Sequence, residues 1–472
     1  MSTGSSDTIA QATDEDAAKT PVTNRKQPFP RGFLDSISTG WAERPESLPA
    51  PRAQAPFAAA RRAKVSAAFP GKRLVIPAGS LKQRSNDTDY PFRAHSAFAH
   101  LTGWASDSEP DSVLVFEPTD AGHDVTLYFR ERADRTTTEF YADATVGEFW
   151  IGPRPSLAGV AADLDIATDH LHVFQPGDDD VALGDADLDR VVSELRLVKD
   201  EYEIAEMRRA VDITAQGFDD IIRALPQAAA HARGERVVEG VFHRRAREDG
   251  NGEGYDTIAA SGPHACYLHW TRNDGTVVPG DLILVDAGVE ADSLYTADIT
   301  RTLPVNGTFS DVQRRVYETV REAADAAFAA ARVGVPFRTV HEAAMSVIAA
   351  HVAEWGLLPV TAEEALDADA GGQHRRYMVH GTSHHLGIDV HDCAQARREM
   401  YYDGILEPGM VFTIEPGLYF QIDDLTVPEE LRGIGVRIED DVLMTEDGPV
   451  NLSAGIPRTA DEVEEWIRRV QA

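Results

Sequence analysis

The chain has 472 residues, 45 basic and 78 acidic, for a formal net charge of −33. That balance excludes a nucleic-acid or anionic-membrane partner bound through a basic surface, and 43% apolar content in a chain this long excludes disorder throughout. At roughly 150 residues per domain, the length fits two or three domains.

Residues 1–45 read as a mobile polar tail, richest in Gly, Ser, Thr and Asp up to about residue 28. Its start, MSTGSSDTIAQATDEDAAK, has neither a basic opening nor an apolar stretch, so it does not read as a signal peptide. Residues 46–190 form the next unit. RLVIPAG (73–79), SVLVFEP (112–118) and VTLYFRE (125–131) are short β-rich runs closed by turn residues, with Ala-rich and charged helical stretches between some of them. This pattern predicts an α/β domain. The unit 191–472 opens on VVSELRLVKDEYEIAEMRRAVDITAQGFDDIIRAL (191–225), read as one long helix. In it Asp200 and Glu203 have capping-box spacing and apolar residues then recur at helical intervals. Further helices are predicted over 310–332, 337–355 and 459–471. No apolar run reaches the roughly 18 residues of a transmembrane helix. Cys266 and Cys393 are too few for a secreted disulfide scaffold and offer no CxxC pair for zinc. They read as reduced thiols of a cytoplasmic protein.

The unusual residues lie on the strands of the second unit. GDLILVDAGVE (280–290) is an apolar strand ending in Asp286. Burying a lone carboxylate costs several kcal/mol, so this acid needs a partner or a metal. Asp298 follows in TADITRTLPV, again just before β-branched residues. VFTIEPGLYF (411–420) repeats the form with Glu415 after an apolar strand, and GVRIEDDVLM (435–444) carries Glu439 inside another strand. Each half thus offers one acid at a strand end and one on a following strand, as in a duplicated β unit with four carboxylates converging at a pseudo-two-fold. Arg437 and Glu439 are two apart on a strand and share a face, whereas Asp440 points the other way. YMVHGTSHHLGIDVHD (377–392) supplies His380, His384, His385 and His391, with Gly381 and Gly387 allowing a tight backbone path. His269 lies in SGPHACYLHWT, among turn residues and aromatics. Four carboxylates and an imidazole form an oxygen-rich donor set suited to Mn or Mg, with Co, Fe and Zn also accommodated. Carboxylates can bridge two ions that activate a shared water.

The segments VDAGVE…DITRTLPV, HGTSHHLGIDVHD, IEPGLYF and GVRIEDDV resemble the Xaa-Pro aminopeptidases (aminopeptidase P), whose pita-bread fold is shared by prolidase, creatinase and methionine aminopeptidase. The resemblance covers about 55–465. In the N-terminal half it rests on NDTDYPFRAHSAFAHLTGW (86–104), similar to a domain that methionine aminopeptidase lacks. It implies an α/β (α+β) chain: a creatinase-like N-terminal domain followed by a pita-bread catalytic domain. It also implies five metal ligands, Asp286, Asp298, His384, Glu415 and Glu439. His269, His380 and His391 then correspond to substrate and transition-state histidines, Arg437 to an active-site arginine and Tyr255 to a pocket tyrosine. The interval from Asp286 to Asp298 is one residue longer than usual in the family, which an insertion around 291–293 would absorb. Asp292, the other possible second acid, lacks the following ITR. His385 stands where an aromatic is common and is read as pointing away from the ligands.

The resemblance further implies two divalent ions per chain, with Mn2+ the favoured metal. A hydroxide bridging them would attack the peptide bond before a penultimate proline, with Glu415 relaying the proton. Expected partners are peptide substrates, with neither nucleic acid nor membrane. A homodimer or homotetramer is expected, with Asp87, Tyr90 and Arg93 either at an intersubunit rim or capping a local turn. Prolidase, which cleaves only Xaa-Pro dipeptides, shares all five ligands and is the nearest alternative. An inactive pita-bread binding protein is the remote one, because such proteins typically lose ligands. Creatinase works without metal, which the five retained ligands argue against.

Overall fold

The computed structural model describes residues 29–44 and 47–472. In the N-terminal unit, helix α1 (Ala55–Ala68) precedes strand β1 (Leu74–Pro77), and helix α2 (Ser96–Thr102) precedes β2 (Val113–Thr119) and β3 (Gly122–Phe129). Strands β4 (Ala167–His170) and β5 (Val181–Ala182) complete a five-stranded mixed sheet of order β4-β3-β2-β1-β5. The pleat explains the sequence pattern: alternate residues Leu74, Ile76, Leu114, Phe116, Leu127 and Phe129 are buried in one core with Phe98 and Trp104. The short edge strands β4 and β5, parallel to β3 and β1 respectively, were not foreseen from the sequence.

The tail expected over 1–45 differs in its last part. Residues 1–28 and 45 lie outside the described residues. Arg31–Ile37 is helical, and Phe33 packs edge-on to Tyr141 at 5.4 Å between ring centroids. Trp41 packs likewise on Phe140 at 5.5 Å. The aromatic side chains of this otherwise polar stretch supply the area that holds it down.

The single long helix expected from 191 is two. One covers Ala186–Glu194, and α3 (Glu201–Ala229) starts afresh where Asp200 and Glu203 form the reciprocal capping box. Helix α4 (Gly234–Asp249) packs along α3. Strand β6 (Ile258–Ser261), β7 (Leu282–Ala287) and β8 (Ile299–Pro304) form an antiparallel sheet with β7 central, Asp286 standing opposite Thr300. The second half repeats this plan. Helix α5 (Asp311–Ala330), capped by Ser310 and Gln313, packs along α6 (Arg338–Glu354). Strand β9 (Val411–Ile414) is followed by β10 (Gly417–Tyr419), β11 (Gly435–Arg437), β12 (Asp440–Thr445) and β13 (Gly448–Asn451). They pair as β9-β12-β13 and β10-β11. Helix α7 (Ala460–Gln471) closes the chain.

The strand expected to carry Glu439 within 435–444 is interrupted at that acid, whereas Glu415 follows the end of its strand as the sequence suggests. β9 stops at Ile414, just before Glu415, and Pro416, which has no N–H, cannot carry the ladder on. The Glu439 N–H leaves the local ladder and donates across the two halves to the Thr300 carbonyl at 3.1 Å. One continuous apolar core runs through both halves. Among the described residues no helix is long and apolar enough to cross a membrane.

Candidate metal centre

The strand ends of both halves meet at a cavity of about 310 Å³. Asp286, Asp298, Glu415, Glu439, Arg437 and the histidines 269, 380, 384 and 391 all line it. Sequence neighbours set aside as ligands are elsewhere. His385 is fully buried against Phe337, Tyr401 and Phe412, its ring 4.6 Å from that of Phe337. Asp292 is exposed in the 291–294 turn and pairs with Arg209 at 3.2 Å. Asp440 turns away to the buried Arg301 at 2.7 Å.

The first half brings Asp286 and Asp298 together through Tyr255. Its hydroxyl lies 2.7 Å from Asp286 Oδ1 and 2.6 Å from Asp298 Oδ1. One phenolic proton cannot serve both oxygens, so the carboxylates crowd a single donor. The second half adds His384, whose Nε2 is 3.3 Å from Asp298 Oδ2 and 3.4 Å from Glu415 Oε1. His384 Nδ1 lies 3.1 Å from the His385 carbonyl. That bond fixes the proton on Nδ1 and leaves Nε2 free to coordinate, the usual outer support of a metal-bound histidine. Asp298, His384 and Glu439 each present a ligand atom within 4.8 Å of the others.

The electrostatics suit a bound cation. Four acids converge, and Arg437 is the one permanent cation lining the cavity among the described residues. Burial pushes the Asp286 carboxyl up, against the pull of Arg437. Burial also raises Glu415 to about 7, only partly offset by His384. Glu439 is driven well above the usual carboxylate range by burial and by Asp298, Glu415 and Asp286. The His384 imidazole goes the other way, up to about 9. Burial opposes its charge, but the hydrogen bond to Asp298 and the Glu415 carboxylate outweigh it. A site that raises its carboxyls in this way calls for added positive charge, and a divalent metal on these oxygen and nitrogen donors would supply it.

Arg437 ties the halves together. It donates to Asp286 Oδ2 at 2.5 Å, to Thr300 Oγ1 at 3.0 Å and to the Tyr419 hydroxyl at 3.1 Å. Tyr419 in turn reaches His380 Nε2 at 2.7 Å. Burial first, and then Arg437, lower His380 to about 3, so it is neutral. Its Nδ1 donates to the Gly381 carbonyl at 2.6 Å, which leaves Nε2 as the acceptor for Tyr419. Thr300 also donates to Glu439 Oε2 at 2.6 Å. Tyr419 and Thr300 were not foreseen. A hydroxyl on a buried strand carries no signal of its own, although Tyr419 does stand in the same run as Glu415. His269 and His391 stand exposed at the mouth, with the His391 ring edge-on to His384 at 4.5 Å. Of the three rim residues, Arg93 is held within the chain, by Glu290 at 2.6 Å and the Ile388 carbonyl at 2.7 Å. Tyr90 is exposed.

This geometry agrees with what the chain matches. Residues 205–446 fit metallopeptidase family M24, and residues 58–174 fit the aminopeptidase P N-terminal domain. The chain belongs to the M24 metallopeptidases. Within that family it is 50% identical to Xaa-Pro aminopeptidase 1 of Streptomyces coelicolor, over 95% of each chain. It is 34% identical to the Xaa-Pro aminopeptidase of Escherichia coli, over 86% of this chain and 96% of that one. A substrate complex of E. coli aminopeptidase P superimposes with a TM-score of 0.75 at 30% identity, covering 89% of this chain and all of that one. The pita-bread M24 fold and the aminopeptidase P N-terminal unit are therefore both present. The protein is a metallo-exopeptidase that uses divalent metal.

Proposed function

We propose that the protein releases the N-terminal residue from peptides with proline in second position, using two divalent ions held by Asp286, Asp298, His384, Glu415 and Glu439. The observation that carries this reading is the convergence of those five side chains, from both halves, on one cavity. Manganese is the favoured metal because four of the five donors are carboxylates. Ions held there lower the pKa of a shared water and polarise the scissile carbonyl.

The chain's own residues do the rest. Glu415 lies 3.5 Å from His380 Nδ1 and 3.4 Å from His384 Nε2, placed to pass a proton to the leaving proline nitrogen. Arg437, locked by three partners, keeps Asp286 in place. His269 and His391, at the mouth, hold the substrate and meet the charge that develops on its carbonyl oxygen. Tyr255 orders the first two carboxylates beneath the substrate. The acidic lining favours a free N-terminal ammonium, hence an exopeptidase. Proline needs a dedicated enzyme because its amide has no N–H and its ring fixes the backbone.

The test is metal-stripped protein assayed on an Xaa-Pro-Xaa tripeptide and an Xaa-Pro dipeptide, with manganese restored. Metal-dependent release of the first residue from the tripeptide is expected. Cleavage of the dipeptide alone would make the enzyme a prolidase. Cleavage of neither, with metal bound, would overturn the proline reading and leave the fold.

The same reading places the enzyme in the cytoplasm as a homodimer or homotetramer. The free, buried thiols of Cys266 and Cys393 support a reducing compartment. The exposed run Phe149, Trp150 and Ile151 supports association. A monomer by light scattering would overturn the assembly.

A further inference from the structure

One wholly buried carboxylate outside the cavity spends its hydrogen bonds on the loop that carries His269. Glu235 lies in the first turn of α4 and is completely inaccessible. Its Oε1 accepts the Ser261 N–H at 2.9 Å and lies 2.8 Å from His264 Nδ1. Its Oε2 accepts the Gly275 N–H at 2.6 Å and the Trp270 indole N–H at 2.9 Å. The Glu235 N–H returns to the Gly275 carbonyl at 3.2 Å. Trp270 stacks on His264 with ring centroids 3.9 Å apart. A Cβ at Gly275 would stand 2.7 Å from the His264 ring and 2.8 Å from Glu235 Oε2, so the close approach requires glycine there.

The four donors come from both ends and the middle of the segment 261–275. Leu268 and His269, between them, line the metal cavity. The His269 imidazole makes no hydrogen bond of its own among the described residues. Its position is therefore inherited from its loop. A buried carboxylate with four donors is also a rigid one, since each donor would be left unpaired in low dielectric if the loop moved.

We propose that Glu235 is a positioning residue for the peptidase reaction, setting the place of His269 by fastening its loop at Ser261, His264, Trp270 and Gly275. The inference rests on the proposed role of His269 in binding substrate. Glu235→Gln tests it, because an amide is isosteric yet cannot accept from two donors at each end. One of its N–H bonds must then face another donor.

The experiment is a double-mutant cycle on the metal-loaded full chain with a Xaa-Pro-Xaa tripeptide, recording kcat/KM and metal content. E235Q is expected to lower kcat/KM by about tenfold or more without changing metal content, and H269A to lower it further. In the H269A background, E235Q is expected to add less than about twofold, because the two act through one group. If H269A is impaired and E235Q either leaves kcat/KM unchanged or multiplies the H269A loss in full, the positioning role is overturned alone. If H269A retains wild-type kcat/KM, the role of His269 falls and the inference falls with it. Should E235Q fail to fold, Trp270→Phe removes one donor and keeps an aromatic ring beside His264. It is expected to give a loss of about threefold with the same lack of additivity, and an additive loss would overturn the proposal.

Discussion

Arg437 Nη2 lies 2.5 Å from Asp286 Oδ2, which joins a strand of the second half to the first acid of the first half. The same guanidinium reaches Thr300 and Tyr419, so three directions are fixed by one planar group. Lysine offers a single ammonium and cannot span them. Arg437→Lys is expected to lower kcat/KM on an Xaa-Pro-Xaa peptide by about 100-fold, equivalent to about 2.7 kcal/mol. Steady-state kinetics on the metal-loaded variant checks this. A loss under about threefold would show that positive charge alone is what the site needs there.

Thr300 donates to Glu439 Oε2 at 2.6 Å and accepts from Arg437 Nε at 3.0 Å. It orients a carboxylate without facing the cavity, the place of an outer-shell support. Thr300→Val keeps the shape and removes both bonds. Metal affinity is expected to fall by about 10- to 100-fold. Competition against a chelator reads this directly, and unchanged affinity would mean that Glu439 needs no support from Thr300.

What could be read from the sequence, and what could not, follows from these contacts. Asp286 and Glu415 stood out because a charge at the end of an apolar strand is costly unless it is used. Thr300 and Tyr419 did not, because hydroxyls on β-rich segments are ordinary. Helix α4 was missed because its buried stripe, Val238, Phe242 and Ala246, is thin among charged neighbours. Glu235 in its first turn was missed with it. The break at Glu439 depends on a hydrogen bond to Thr300 of the other half, a relation between segments far apart in sequence that no local pattern records.

Gly288 and Gly417 each follow an acid of the centre by two residues. A Cβ at Gly288 would overlap the Ala297 carbonyl, and one at Gly417 would overlap the Tyr419 ring. Both halves thus need backbone contact beside their first acid. At Gly288 the obstacle is main chain and cannot swing aside. Gly288→Ala is expected to destabilise the fold by about 3 kcal/mol and to separate Asp286 from Asp298. Urea unfolding checks the first effect and metal content the second. Stability within about 0.5 kcal/mol of wild type would show that the hairpin can yield.

Glu203, at the start of α3, is buried where the N-terminal unit meets the catalytic one. Its Oε1 accepts from the Tyr295 hydroxyl at 2.8 Å and lies 3.2 Å from His100 Nε2, and its Oε2 lies 3.5 Å from Arg61. Burial alone would raise this carboxyl, but His100, Arg61 and Lys199 overcome it and hold it at about 2. A carboxyl held below its unfolded value stabilises the fold above the unfolded pKa near 4.5. That contribution disappears as the pH falls toward the folded value. Wild type should therefore lose stability relative to Glu203→Gln between about pH 5 and pH 2, by up to about 3 kcal/mol. Paired urea titrations at pH 6, 4 and 3 measure the difference, and other carboxylates cancel in it. A gap between the two proteins that stays constant across this range would mean that Glu203 contributes only its hydrogen bonds, and that its charge adds nothing to the contact between the units.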